Sequence, residues 1–223
     1  QGLTSLRRWY DLPARKTDFT VYLKQQTAFG KGFHYFYDLQ YRNVDYSMNG
    51  FRDNPTLYVD KCYHFFNPKA GLSYRQRNMS YYLSYSVATK EPNRDDFEAG
   101  LNEQPRPEQL HDLEAGVESR QQQYSWSATL YYMRYKDQLV LTGRINDVGA
   151  YTRTNIPRSY RAGVELQGNI KLKKWLQAQG NLAFSQNKVL PFEEYLDDYD
   201  NGGQQKNNFS RSAIAFSPAV VGA

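Results

Sequence analysis

Tyr160-Arg161-Ala162-Gly163-Val164-Glu165-Leu166-Gln167-Gly168-Asn169-Ile170-Lys171-Leu172, followed by Lys173-Lys174 and then Trp175-Leu176-Gln177-Ala178-Gln179-Gly180-Asn181-Leu182-Ala183-Phe184-Ser185, is the stretch that decides the fold. In the first arm, apolar or aromatic residues stand at every second position, and Arg161, Glu165, Gln167, Asn169 and Lys171 stand between them. After the turn, Leu176, Ala178, Gly180, Leu182 and Phe184 oppose Gln177, Gln179, Asn181 and Ser185. Side chains on a strand alternate faces with period two, so this is a β-hairpin with one oily face and one wet face. A soluble sandwich also alternates, and the pattern alone does not name the solvent on each side. Length adds information. Each arm holds its alternation for about a dozen residues, where soluble strands usually run about five or six. A tilted strand that crosses a bilayer needs about nine to eleven.

The chain has 223 residues, and an all-β domain of that size can be single. Mean hydropathy is −0.80. No apolar run reaches the roughly eighteen residues of a transmembrane helix. A membrane barrel needs none, because alternation hides its hydrophobic signal. Aromatics make up 16% of the chain, with 20 tyrosines. Two explanations stand: rings gathered in belts at the membrane surfaces, or tyrosine used as a good strand former. The net charge of +5 comes from Lys and Arg spread along the whole chain. A nucleic-acid partner would call for a basic cluster, so none is expected. The single cysteine, Cys62, excludes an internal disulfide framework. Gln1-Gly2-Leu3-Thr4 opens without a charged-then-apolar signal pattern, so for an exported protein the leader is expected to be missing or removed.

Hairpins are expected near residues 18–46, 63–88, 110–141 and 158–188, with a further strand starting near 210–223. Their turns fall at Gly30-Lys31-Gly32, Arg77-Asn78, Arg120 to Gln123 and Lys173-Lys174. Phe36 is the exception on the polar face of its strand. Between the hairpins lie long segments rich in Gly, Pro and Asn, at 47–62, 89–109, 142–157 and 189–209, read as loops. Short and long connections therefore alternate. An up-and-down outer-membrane barrel shows this pattern, with short turns on the periplasmic side and long loops outside. A Greek-key sandwich would have less regular connections and shorter strands.

Certain local words are also familiar. Asn67-Pro68-Lys69-Ala70-Gly71-Leu72-Ser73-Tyr74 opens a strand, and Ser84-Tyr85-Ser86-Val87-Ala88-Thr89-Lys90-Glu91-Pro92-Asn93 closes the next. Pro107-Glu108 leads into Leu113-Glu114-Ala115-Gly116-Val117-Glu118, then Tyr131-Tyr132-Met133, then Tyr160-Arg161-Ala162-Gly163-Val164-Glu165-Leu166. This order resembles the C-terminal half of the barrel in TonB-dependent outer-membrane receptors, most clearly over residues 63–188. The resemblance implies an all-β antiparallel meander, about nine of the twenty-two strands of a transmembrane barrel that encloses an N-terminal plug. It further implies import of a scarce nutrient (iron chelate, haem, vitamin or glycan) across a Gram-negative outer membrane with energy from TonB. Outer-membrane lipid, the barrel's own plug, TonB and a small nutrient ligand are the implied partners. Because a plug, a TonB box and a final strand ending in an aromatic residue are not found here, the chain is expected to be an internal fragment. An open sheet in lipid would leave two unpaired edges.

Glu114, Glu118, Arg161, Glu165 and Lys171 share the polar face and are expected to line a wet lumen. As an enzyme site, the carboxylates would serve as acid and base. The recurrence of charge along that face favours the structural role, and no nucleophile motif, phosphate loop or dinucleotide fingerprint occurs. No enzyme activity and no cofactor are expected. Gly116 and Gly163 on the same face are read as positions of bending or close approach. Leu72, Leu83, Val164, Leu166 and Leu182 are expected to face lipid. Asp197-Asp198-Tyr199-Asp200-Asn201-Gly202 lacks the spaced ligands of an EF-hand, and it and Asp95-Asp96-Phe97-Glu98 are read as solvated acidic loops. His34, His64 and His111 have no metal spacing. Ligand contacts would concentrate on the long loops, where Trp9, Arg94, Arg106, Arg144 and Tyr195 are the candidates by position and type. The alternative is a soluble β-sandwich or adhesin-like binding module. It demands that Leu166 and Leu182 be sealed beneath a second layer.

Overall fold

Eight long strands pair in strict chain order, each antiparallel to the next: β1 (Ala14–Ala28), β2 (Phe33–Asn49), β3 (Tyr58–Gln76), β4 (Met79–Lys90), β5 (Glu108–Arg120), β6 (Tyr124–Ile145), β7 (Tyr151–Lys173) and β8 (Leu176–Leu190). The structure is a computed structural model that describes residues 11–99, 104–145, 151–213 and 217–222. A small hairpin, β9 (Phe192–Asp197) with β10 (Gln204–Phe209), forms its own two-stranded sheet. The short strands β11 (Ser212–Ala213) and β12 (Ala219–Gly222) both pair with β8 and together occupy a ninth position. A 3-10 turn at Arg94–Ala99 lies between β4 and β5.

The register joins residues of like parity into rows. Tyr35, Leu72, Leu83, Ala115, Leu130, Val164 and Phe184 make one continuous row across seven strands. Phe33, Tyr74, Tyr81, Val117, Ala128, Leu166 and Leu182 make the next. All five residues expected to face lipid lie in these two rows. Among the described residues no second sheet covers them: Leu130 is 61% exposed, Leu166 40% and Leu182 38%. A sandwich would bury these side chains, so the soluble-module reading falls. Even the shortest long strand, β4 with 12 residues, reaches about 40 Å at roughly 3.3 Å per residue. At a tilt near 45° that is about 28 Å of depth, the height of an outward apolar band.

The opposite face is polar, and three of its rings lie over glycines. Phe36 pairs with Gly71, Tyr82 with Gly116 and Tyr131 with Gly163. In each pair the ring lies over the glycine, where a Cβ would collide with it. The Tyr82 hydroxyl crosses Gly116 to reach Thr129 Oγ1 at 3.0 Å. At Gly163 a Cβ would also strike the Phe184 carbonyl, part of the backbone.

The turns between paired strands are short, at 29–32, 77–78, 121–123 and 174–175. The expected long loops are more structured than their composition suggests. β2 runs to Asn49 and β3 starts at Tyr58, so 47–62 shrinks to a connection at 50–57. Strands β6 and β7 extend into 142–157, and 189–209 contains the β9–β10 hairpin.

Leu166→Arg in the full-length protein should cost roughly 2–4 kcal/mol at mid-depth and remove most folded barrel from the outer membrane. Gln167→Arg, on the other face, should leave it in place. Membrane fractionation with heat-modifiable gel mobility distinguishes the two outcomes.

Candidate functional site: the polar face and its mouth

Glu114, Glu118, Arg161, Glu165 and Lys171 all project from the polar face, as their pairing partners show. They do not converge on one point. Glu118 and Lys171 line a cavity of about 700 Å³ near the short turns, together with Gln123, Ser127, Gln167 and Gln179. Glu118 accepts a hydrogen bond from Arg120 Nε. Glu165 borders a neighbouring hollow with Thr129 and Asn181. Arg161 donates through Nε to Asn187 Oδ1 at 2.9 Å. One row across the face reads Lys24, Asp38, Lys69 on β1–β3 and Ser86, Asp112, Met133, Arg161 on β4–β7, a surface of both signs.

At the loop end the alternation changes phase. Up to Tyr41 on β2 the apolar side chains other than Phe36 point to the lipid-type face. From Val44 onward, Val44, Tyr46 and Met48 point to the opposite face, while Asp45 and Asn49 turn to water. On β3, Val59, Tyr63 and Phe65 sit on that same inner face, while Asp60, Cys62 and His64 are exposed. These residues, with Phe51, Leu57 and Phe97, form the buried apolar cluster of the described residues. Phe97 comes from the 3-10 turn and is fully buried. The β4–β5 connection therefore folds in over the polar face and supplies the lid of a small core.

Charged contacts fasten this connection at both sides. Glu91 receives a fork from Arg42, with Nη1 and Nη2 at 2.7 and 2.8 Å, and a bond from Lys16 Nζ at 2.7 Å. Arg42 also grips Asp18. Burial pushes the Glu91 carboxyl up, but the hydrogen bonds from Arg42 and Lys16 outweigh it and hold the group below its ordinary range. Asp96, almost fully buried, takes a second fork from Arg153 on β7, with both bonds at 2.8 Å, and accepts from Asn93 N at 2.7 Å. Glu98 Oε1 accepts from Asp53 N at 2.7 Å. The segment 95–98 is thus not a solvated acidic loop. Asp96 and Glu98 face backbone and arginine partners that sequence distance concealed, while Asp95 is exposed.

Arg94 is turned into this assembly. Its guanidinium donates to the carbonyls of Leu12 and Gly50, at 3.2 and 2.9 Å, and lies 5.4 Å from the Phe51 ring. Arg106 remains at the surface, paired with Asp137 at 2.7 Å. Tyr195 bonds Glu193 at 3.2 Å, and its carbonyl abuts Gly143, which lays β9 against β6. Trp9 and the side chain of Arg144 lie outside the described residues. Asp198 caps its own turn by accepting from Asp200 N and Asn201 N at 3.1 and 3.0 Å. Its carboxyl is lowered to about 2, chiefly by Gln205 and Asn201. No group of three or more metal-type ligands occurs among the described residues. His64 and His111 bond Tyr41 and Tyr85 hydroxyls at 2.7 and 2.6 Å on the outward face.

Long alternating strands, a lipid-type band, a mixed-charge inner face and a mouth closed over by an inward connection define a transmembrane β-barrel segment. The chain belongs to the family described as TonB dependent receptor-like, beta-barrel, which it matches over residues 4–219. TonB-dependent receptors are β-barrels of the Gram-negative outer membrane, and they are transporters and receptors rather than enzymes. Similar solved structures include the copper transporter OprC, 15% identical over 81% of this chain and 31% of that one, with a TM-score of 0.67. The FrpB iron transporter from Neisseria meningitidis (F3-3 variant) is 15% identical over 87% of this chain and 32% of its own, with a TM-score of 0.63. The ferric-catecholate import receptor Fiu from K12 E. coli is also 15% identical, over 86% and 30%, with a TM-score of 0.63. The chain spans about a third of the length of these structures. At such identity they bear on fold alone. No curated protein matches the chain significantly.

Two outcomes test the mouth. Arg153→Ala strands a buried Asp96 and should cost about 3–5 kcal/mol, seen as lost hydrogen-exchange protection across residues 91–99. The Glu91 contribution should be complete above its ordinary pKa of 4.5 and fade as pH falls through the lower folded value. A proteolysis series at falling pH should nick the connection progressively in the wild type, whereas Glu91→Gln should start more sensitive near neutral pH and change less as pH falls.

Proposed function

We propose that the chain forms part of a receptor that imports a scarce nutrient through a plugged barrel, using energy delivered by TonB. The observation that carries this reading is the pairing of an exposed apolar outer band with an inner face of both charges. An inner face of that kind suits a polar plug that must be held by many weak contacts and still released. Glu114, Glu118, Arg161, Glu165 and Lys171 would line the lumen and meet the plug. Arg106 and Tyr195, with Trp9 and Arg144, would approach the ligand at the mouth, whereas Arg94 serves to fasten it. Iron chelates, haem, vitamins and glycans are the candidate cargo classes. The names of the similar structures, which speak of copper, iron and ferric catecholate, place metals and their chelates first for trial.

The test is uptake of labelled ferric chelates, haem, cobalamin and oligosaccharides by cells carrying the full-length protein, with and without TonB. One class should accumulate only when both are present. Arg161→Glu should reduce that uptake while leaving the amount of folded barrel unchanged. Uptake of every class that is equal with and without TonB would refute the transport reading.

A further inference from the structure

Strands β3 and β4 separate at the mouth. Both are described in full, and their shared ladder runs from Gln76 opposite Met79 to Lys69 opposite Ser86, where it stops. Pro68 stands next and has no N–H with which to continue it. Beyond that point β3, from Tyr58 to Asn67, goes on along the β2 ladder, and β4, from Val87 to Lys90, along the β5 ladder. The sheet that is continuous in the membrane zone thus divides toward the outside into two wings, β1–β3 and β4–β8. A backbone ladder resists parting because each unpaired N–H and C=O must find another partner. Across the split, side chains take its place.

The β4–β5 connection is docked on the first wing. Glu91 meets Lys16 and Arg42, Arg94 donates to the carbonyls of Leu12 and Gly50, and Glu98 accepts from Asp53 N. Phe97 lies in the buried cluster with Val44, Met48, Val59 and Phe65 of β2 and β3. Asp96 turns the other way and takes its fork from Arg153 on β7, in the second wing. Nearer the root of the split, Thr89 Oγ1 donates to Asn67 Oδ1 at 2.8 Å. The attachments are therefore unequal. A packed apolar cluster and several polar contacts hold the connection to β1–β3, whereas a fork to a partly exposed arginine ties it to β7. Such a fork can exchange its partners for water, while the cluster opens only at the expense of its burial.

We propose that the Asp96–Arg153 fork is the clasp of a two-position mouth: when it opens, the first wing and the connection docked on it swing as one body away from β7, hinged where the ladder stops at Lys69 and Ser86, and uncover the inner face of β4 to β6. Hinges of this kind are a few residues at the ends of paired elements. The device stands on the barrel fold and does not depend on which cargo is carried. It is tested in full-length protein carrying Cys62→Ser, in outer-membrane vesicles, by the distance between two nitroxide labels. One pair, Asp45→Cys with Lys136→Cys, places an exposed label on each wing. A reference pair, Lys31→Cys with Lys174→Cys, joins the β1–β2 and β7–β8 turns at the other end of the sheet. Asp96→Asn with Arg153→Gln removes the fork without stranding a buried charge. It should add a population at the mouth pair longer by about 5 Å or more, one strand spacing, and leave the reference pair unchanged. Hydrogen exchange over residues 91–98 should stay slow in that variant, because the connection travels with the first wing. If the double variant loses its heat-modifiable mobility, Asp96→Asn by itself decides, with a smaller long population. An unchanged mouth distance in the folded variants, equal lengthening at the short turns, or fast exchange over 91–98 would overturn the proposal.

Discussion

Hydrogen-bonded register between neighbouring strands is the constraint on which this molecule depends. Once two strands are locked residue against residue, the parity of each position fixes which face its side chain occupies. Across eight strands, a one-residue slip anywhere would send Leu130 or Leu166 to the polar face and Glu165 to the lipid face. Each such exchange costs several kcal/mol in hydrocarbon, because an unpaired charge there has no water to meet. Register here is therefore enforced by two different solvents at once, more strongly than in a sheet with a single buried face.

The same parity rule accounts for the mouth. Beyond Tyr41 the outward face leaves the lipid and meets water, so Asp45, Asp60 and Cys62 can stand there. The inward face now becomes the dry one, covered by the connection that carries Phe97. The inversion is gradual in space but abrupt in sequence, at Arg42-Asn43. On β8 the buried inward Val189 lies past the outward Leu182 and Phe184 in the same manner. A strand that outruns the membrane thus carries two hydrophobic signals of opposite phase. Arg42 sits at the junction and holds Asp18 and the buried Glu91.

Glycine opposite an aromatic ring solves a different problem. A wide sheet needs bending, and a row of bulky side chains on the inner face resists it. Gly71, Gly116 and Gly163 remove bulk, and Phe36, Tyr82 and Tyr131 restore cover over the exposed backbone from the strand beside them. That arrangement turns three apparent violations of the polar pattern into one repeated contact.

The sequence by itself determined the hairpins, the parity of each face and the contrast between short turns and long connections, because these arise from neighbours along the chain or from the immediately following strand. The stretch 160–184 alone was enough to separate Val164, Leu166 and Leu182 from Glu165 and Lys171. The phase change after Tyr41 was legible in principle, since Val44, Tyr46 and Met48 alternate with Asp45 and Ser47, yet a segment that alternates out of step with its own strand reads as loop. Only the tertiary structure decided the rest. Asp96 and Glu98 look solvated until Arg153 and Asp53 are brought to them, and Glu91 gains Arg42 in the same way, from segments about 40 to 60 residues away in sequence. Parity is written in the chain, but what covers each face depends on distant segments that only folding brings together.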